Sequence, residues 1–413
     1  MDLFIEKKDC CGCGACYNIC PRSAISMQED VYGFVYPHID ENICVECGVC
    51  VKVCNYIKEH QPNKKKVQKA YAAMSKSDGT LKKSASGGVF FEVALEVIKS
   101  GGVVFGCVME RENGRLVPKH VGVDSTTGLR KMQGSKYVQS NIGDCYNRVK
   151  RFLKCGRMVL FTGTPCQVDG LYGFLMGRKY ENLYTMDIIC HGVPSAKFFQ
   201  CYVQNLESKL HGEITDVKFR DKTQGWGLSG SIFYKDKVDA MRKKRMPLQG
   251  FSYYKLFLAS EIYRENCYNC KYADIKRPGD ITLGDFWGIE SEHPELLRSN
   301  GGEWDITKGV SCIIINSQAG SDLLNRTSSR LKLAESSVEK VSKNNKQLNQ
   351  PSIKSTNREN ILNIFKNQGY SAVEKTYYKR YGIKGVLYKV WNYIPGKHVL
   401  QNMDGVNGDE EKV

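Results

Sequence analysis

Cys10-Cys11-Gly12-Cys13-Gly14-Ala15-Cys16-Tyr17-Asn18-Ile19-Cys20-Pro21 opens a pattern that returns as Cys44-Val45-Glu46-Cys47-Gly48-Val49-Cys50-Val51-Lys52-Val53-Cys54. Each copy spaces its cysteines C-x2-C-x2-C-x3-C. Three thiolates spaced by two residues wrap one cubic iron–sulfur cluster, and the fourth, turned away, reaches a second cube. The spacing therefore assigns Cys10, Cys13, Cys16 and Cys54 to one 4Fe–4S cluster. It assigns Cys44, Cys47, Cys50 and Cys20 to another. Gly12, Gly14, Ala15 and Gly48 let the backbone crowd a bulky anion and aim N–H groups at it.

A single C-x2-C would suit zinc or a redox dithiol, but two complete copies with a fourth cysteine at the right offset do not. The arrangement is that of a two-cluster bacterial-type ferredoxin module, expected over residues 1–58. Asn55 stands where the second copy would carry proline, which removes no ligand. Taking Cys11 as a ligand breaks the spacing, so it is read as a spectator.

The chain has 413 residues, enough for two or three domains with cores of their own. Its eighteen cysteines would suggest disulfides in a secreted protein. The segment Met1-Asp2-Leu3-Phe4-Ile5-Glu6-Lys7-Lys8 has no apolar core of a signal peptide, and no apolar run reaches membrane-spanning length. Cluster thiolates also need a reducing compartment, so a cytoplasmic location is expected. The formal net charge is +16 with every cysteine neutral. Each cluster on four thiolates contributes about −2, so three would offset roughly six charges and leave the chain basic. An acidic electron carrier of ferredoxin or flavodoxin type suits that balance, as does a plain solvated lysine surface. Lys64-Lys65-Lys66 and Arg242-Lys243-Lys244-Arg245 are short and lack interleaved aromatics, which argues against nucleic acid.

Residues 59–69 are polar and lysine-rich and read as a linker. A strand is expected at 70–74, and Ser86-Gly87-Gly88 opens a buried helix over 89–98 that Gly101-Gly102 stops. Further strands are expected at 103–108, 157–161 and 183–189. Helices are expected after Asp124, at 146–153 and from Pro194 to about residue 210. This alternation predicts a mainly parallel sheet covered on both faces. Cys166 and Cys190 follow two of those strands and so fall at the carboxyl edge, where ligands bind and helix N-termini suit an anion. Strands at 214–219 and 231–234 read as an antiparallel pair. Gly225-Trp226-Gly227-Leu228-Ser229-Gly230 between them is a formal G-x-G-x-x-G, but a strand follows it, so the dinucleotide reading is set aside. A helix at 253–264 leads to Cys267-x2-Cys270, and a last core strand is expected at 310–315. Beyond residue 317 the chain reads as helical and polar, ending in a basic aromatic tail at 378–400 that packs on the body or touches a membrane surface. Cys166, Cys190, Cys267 and Cys270 can form a tetrahedral S4 site, for zinc or for a third cubane. Cys107, Cys145, Cys155, Cys201 and Cys312 read as ordinary cysteines.

Over residues 70–288 the sequence resembles the beta-subunit family of coenzyme F-420 (deazaflavin) hydrogenases and dehydrogenases. The motifs are Ser86-Gly87-Gly88, Gly134-Ser135-Lys136-Tyr137-Val138, Gly163-Thr164-Pro165-Cys166-Gln167, Ile189-Cys190-His191-Gly192, and Cys267-x2-Cys270 with Gly284-Asp285. The resemblance implies FAD held by Ser86, Gly87, Gly88, Gly134, Ser135, Lys136, Tyr137 and Thr164. It also implies a 4Fe–4S cluster on Cys166, Cys190, Cys267 and Cys270 beside that flavin. The fold class expected is α+β. It comprises the ferredoxin-like module, a mixed α/β flavin-binding body divided into 70–212 and 213–345, and a helical basic tail at 346–413. The expected function is an iron–sulfur flavoprotein oxidoreductase acting on a small-molecule substrate. The alternative is a non-catalytic electron-transfer subunit of a larger complex, or one chain of a homo-oligomer. No acid or base is assigned; His191 is a candidate beside a structural reading.

Overall fold

The computed structural model describes residues 3–57 and 69–391, with side chains to residue 382. Ile25–Glu29 (β1) and Val35–Ile39 (β2) pair antiparallel, with Ile25 opposite Ile39. The helical turns Ala15–Ile19 and Val49–Lys52 start from Gly14 (φ 75°) and Gly48 (φ 68°). Each glycine stands two residues before the third cysteine of its copy, at a left-handed bend that a Cβ would strain. The expected linker lies outside the described residues apart from Lys69.

The body begins with Lys69–Ser75 (β3), Val103–Glu112 (β4), Arg115–Val123 (β5), Val159–Gly163 (β6) and Leu183–Ile188 (β7). Glu213–Lys218 (β8), Gly230–Lys235 (β9) and Met241–Met246 (β10) form a separate antiparallel sheet of order β10-β9-β8. Ile281–Asp285 (β11), Ser311–Ile315 (β12) and Leu331–Ser336 (β13) complete an eight-stranded sheet of order β13-β3-β12-β11-β7-β6-β4-β5. Strands from both sides of the 212/213 division therefore share one sheet.

That sheet is mixed rather than mainly parallel. β11–β7, β7–β6 and β6–β4 run parallel, and the other four pairings are antiparallel. The apolar runs of β3 and β12 misled the sequence reading, because a strand buried on both faces reads alike in either direction. β5 was not expected. It returns from β4 through Asn113 (φ 48°) and Gly114 (φ 75°), a two-residue turn whose positive φ angles match hairpin twist. β13 overturns the expectation of an all-helical chain beyond residue 317. It is a half-exposed strand pairing with β3. Ser125, not Asp124, caps the helix Thr126–Met132, accepting from the Gly128 N–H.

Helices Val89–Lys99 and Gln318–Thr327 cover one face of the large sheet. Cys145–Lys154 and Pro165–Phe174 cover the other. Ala15 and Val53 of the cysteine-rich module are each 1% exposed and lie in this second core with Val168, Leu171 and Phe174. The module is thus seated in the body. Gly173 makes the seating possible, since a Cβ there would stand 2.4 Å from the Val53 carbonyl oxygen. The final helix, Arg358–Trp391, is interrupted at Gly369 (φ 76°). Its Phe365, Tyr370, Val373 and Tyr377 pack into an aromatic core with Phe198 and Tyr202. The tail packs on the body as far as its side chains are described, and residues 392–400 lie outside them. No helix among the described residues is long and apolar enough to cross a membrane.

Gly173→Ala is expected to destabilise the protein by about 1–3 kcal/mol, because the added methyl meets backbone that cannot yield. A denaturant midpoint equal to that of the unmodified chain would contradict this seating.

Candidate electron-transfer site

Cys20, Cys44, Cys47 and Cys50 line one cavity of the module, and Cys10, Cys13, Cys16 and Cys54 line another. Cys20 thus stands with the second triplet and Cys54 with the first. Backbone N–H groups point at sulfur: Ala24 donates to Cys20 Sγ at 3.3 Å and Glu46 to Cys44 Sγ at 3.4 Å. Such donors stabilise thiolate charge. The first set is the more deeply set of the two. Burial raises the Cys10, Cys13 and Cys16 thiols, although for Cys13 the largest influence is a hydrogen bond with Cys11 that lowers it. Cys47 is exposed at the other set.

The four remaining candidate ligands come from separate elements. Cys166 is in the first turn of Pro165–Phe174, after β6, where Pro165 and the Thr164–Gln167 capping box fix the helix start. Cys190 follows β7, and Cys267 and Cys270 flank the tight turn Glu265–Asn269. They converge. Burial raises Cys190 to about 12, with further push from Cys166 and Cys270. Cys270 is raised to about 11 by burial and by Cys166. Cys267 is raised by burial and by all three others. The N–H groups of Gly192, Val193, Tyr272 and Ala273 point at these sulfurs. Buried mutually repelling thiols ringed by N–H donors suit a metal-bound thiolate set and are costly otherwise. Among the described residues no group of three or more His, Cys, Asp or Glu side chains is placed to hold a single metal ion.

Cys11 joins the two buried sets. Its thiol is buried and hydrogen-bonds with both Cys13 and Cys166. Cys166 also lines the cavity of Cys10, Cys13, Cys16 and Cys54. Gly170, one turn on from Cys166, lies so close that a Cβ would meet Cys13 Sγ at 2.9 Å. Spacing alone marks Cys11 only as a misfit; its bridging place is a tertiary fact.

The carboxyl ends of β6, β7 and β11 share an edge with the start of β12. A crevice opens there. On one side Gly87 donates to Ser311 Oγ at 2.9 Å, and Ser86 Oγ donates to the Val310 carbonyl at 2.9 Å. Gly88 (φ 81°) starts Val89–Lys99. On the other side lie Gly134, Ser135, Lys136 and Tyr137, tied across by Gln133 Nε2 donating to Ser84 Oγ at 2.9 Å. The Lys136 ammonium donates to the carbonyls of Lys131, Met132, Gln133 and Gly134 and so caps Thr126–Met132. Thr164 Oγ1 lies 3.1 Å from Cys166 Sγ.

Between these walls stands a constellation the sequence reading did not assign. Arg220 Nη1 donates to Asp285 Oδ2 at 2.7 Å, and Trp226 Nε1 to Asp285 Oδ1 at 3.1 Å. The Trp226 and Trp287 rings stack at 4.7 Å. Burial lowers His191, while Asp285 favours and Arg220 disfavours its charged form. Arg220 Nη2 and the Tyr254 hydroxyl are buried without a hydrogen-bond partner. An orphaned guanidinium N–H and phenol suit a polar ligand such as a flavin. The signal lay in Gly225-Trp226-Gly227 and Gly284-Asp285-Phe286-Trp287-Gly288, polar and aromatic side chains held between glycines.

Residues 156–341 match the family described as the C terminus of the beta subunit of coenzyme F420 hydrogenase/dehydrogenase, and residues 9–57 match a 4Fe-4S dicluster domain. The chain belongs to the F420 hydrogenase/dehydrogenase beta-subunit family, with a ferredoxin module in front. It is an iron–sulfur protein of an oxidoreductase family, suited to electron transfer. Among curated proteins it is similar to the uncharacterized protein MJ1349 of Methanocaldococcus jannaschii, at 26% identity over 197 residues. That match covers 41% of this chain and spans only about half, 54%, of the relative's length. The uncharacterized ferredoxin MJ0722 of the same organism is 30% identical over 69 residues, 16% of this chain and 88% of that one. Among solved structures, a chain of the F420-reducing NiFe hydrogenase complex of Methanosarcina barkeri, studied by xenon derivatisation, aligns with a TM-score of 0.43 at 16% identity. It covers 71% of this chain and 90% of that chain.

Cys11→Ala is expected to keep the iron content of the unmodified protein. Loss of about four irons per chain would make Cys11 a ligand and overturn its place between the two sets.

Proposed function

We propose that this beta-subunit family member is an iron–sulfur flavoprotein oxidoreductase. In this reading, Cys20, Cys44, Cys47 and Cys50 hold one 4Fe–4S cluster, Cys10, Cys13, Cys16 and Cys54 a second, and Cys166, Cys190, Cys267 and Cys270 a third. FAD would lie in the crevice between the 86–88 turn and the 134–137 segment, with Thr164 toward the third set. Clusters exchange single electrons, and a flavin converts between one-electron and two-electron chemistry. The observation that carries the reading is the junction at Cys11, whose thiol hydrogen-bonds a member of each buried set.

The residues divide the work by depth. Gly170 and Gly173 bring Cys13 and the module against the helix that carries Cys166. Arg220, its Nη2 unpartnered, offers a cation to an electron-rich ligand atom, while Asp285 and Trp226 hold the guanidinium in place. Ile43 and Val45 are 43% and 59% exposed beside Cys44 and Cys47, an apolar face for a redox partner. Exposed Glu41, Glu46, Arg22 and Lys52 give that face mixed charge, and the basic strand β10 stands elsewhere. A ferredoxin- or flavodoxin-type donor in the cytoplasm fits the apolar contact and the net positive charge. The two-electron substrate is a small molecule, and coenzyme F420, which the family's description names, is the one to test first.

Anaerobically purified protein is expected to carry about twelve irons and one FAD per chain. About eight irons with one zinc and no flavin would contradict the proposal. Cys267→Ser is expected to lose about four irons and to abolish flavin reduction by a reduced ferredoxin. Normal flavin reduction in that variant would remove the third set from the route.

A further inference from the structure

Four guanidinium groups lie deep in the described structure. Arg277 is matched by Asp187, Arg358 by Glu265 and Arg220 by Asp285. Arg264, fully buried, has no carboxylate: the acidic groups that bear on it are Cys10, Tyr36, Cys11 and Cys267. A buried charge without a counter-charge is costly, so the fold needs an anion at this place.

The geometry says which one. Arg264 Nε donates to the Cys10 carbonyl at 2.8 Å, and Nη2 lies 3.8 Å from Cys10 Sγ. Nη1 is 3.3 Å from Gln139 Oε1, while Gln139 Nε2 donates to the Cys11 carbonyl at 3.1 Å. The guanidinium lies over the Tyr36 ring, 4.0 Å from its centroid. Gly12 (φ 67°) leaves room, since a Cβ there would stand 3.0 Å from Nη1. The main chain of Arg264 belongs to the other set: its carbonyl accepts from the Cys267 N–H at 3.0 Å.

We propose that Arg264 is a positioning residue that supplies the shared counter-charge of the two buried cysteine sets. It thereby raises the reduction potential of the cluster on Cys10, Cys13, Cys16 and Cys54. Reduction adds one electron and neither makes nor breaks a bond, so a fixed cation beside a ligand sulfur favours the reduced form. The inference rests on the iron–sulfur reading above.

The test is an EPR-monitored redox titration of the anaerobic holoprotein. In Arg264→Gln, which is neutral yet able to donate to the Cys10 carbonyl, the midpoint of the buried module cluster is expected to fall by a tenfold change in the reduction equilibrium, about 59 mV. The midpoint of the cluster on Cys20, Cys44, Cys47 and Cys50 is expected to stay. Arg264→Lys, which keeps the charge, is expected to restore most of the loss. Should the glutamine variant lose its iron, Arg264→Met, a second neutral variant able to lie over Tyr36, takes its place. Unshifted midpoints in a neutral variant with full iron, or equal shifts in the neutral and lysine variants, would overturn the role of Arg264. An unmodified protein without cluster signals would instead sink the reading on which it rests.

Discussion

Everything in this molecule depends on how closely the cysteine-rich module is pressed into the body. Electron exchange between metal centres needs short distances, and here the shortness is built from small residues. Gly170 and Gly173 present bare backbone to Cys13 and to the Val53 carbonyl. Ala15 and Val53 complete the same apolar core as Val168 and Phe174. A module tethered only by a lysine-rich linker would drift; one that contributes to the core of its neighbour holds a fixed geometry.

The second constraint is the sheet edge. Parallel pairing of β6, β7 and β11 brings their carboxyl ends together. Cys166, Cys190 and Asp285, far apart in sequence, therefore meet at one crevice. The antiparallel pairing of β12 with β11 and β3 adds Ser311 and the 86–88 turn to that edge. A mixed sheet thus gathers at one place what a purely parallel one would have spread over longer crossovers.

Much of this was legible in the sequence, for local reasons. The C-x2-C-x2-C-x3-C repeats carry their own chemistry, and the buried strands β4, β6, β7 and β12 announce themselves as apolar runs. What escaped was set by partners distant in the chain. β5 and β13 are half-exposed at the sheet's margins, and β10, Met241–Met246, carries four consecutive cations, so none shows a clean apolar alternation. Arg264 looks like any surface arginine until folding brings it beside Cys10, and Arg220 finds Asp285 across 65 residues. Cys11 failed the spacing rule for a sound reason, since its thiol bonds to sulfurs of two sets rather than completing one.

The most direct measurement is an anomalous difference map from crystals of anaerobically prepared protein, with data collected on both sides of the iron absorption edge. Three compact iron peaks are expected: one within each cysteine set of the module, and one enclosed by Cys166, Cys190, Cys267 and Cys270 with Cys11 between it and Cys13. Peaks in the module alone, or a third peak present at the zinc edge and absent at that of iron, would contradict the account.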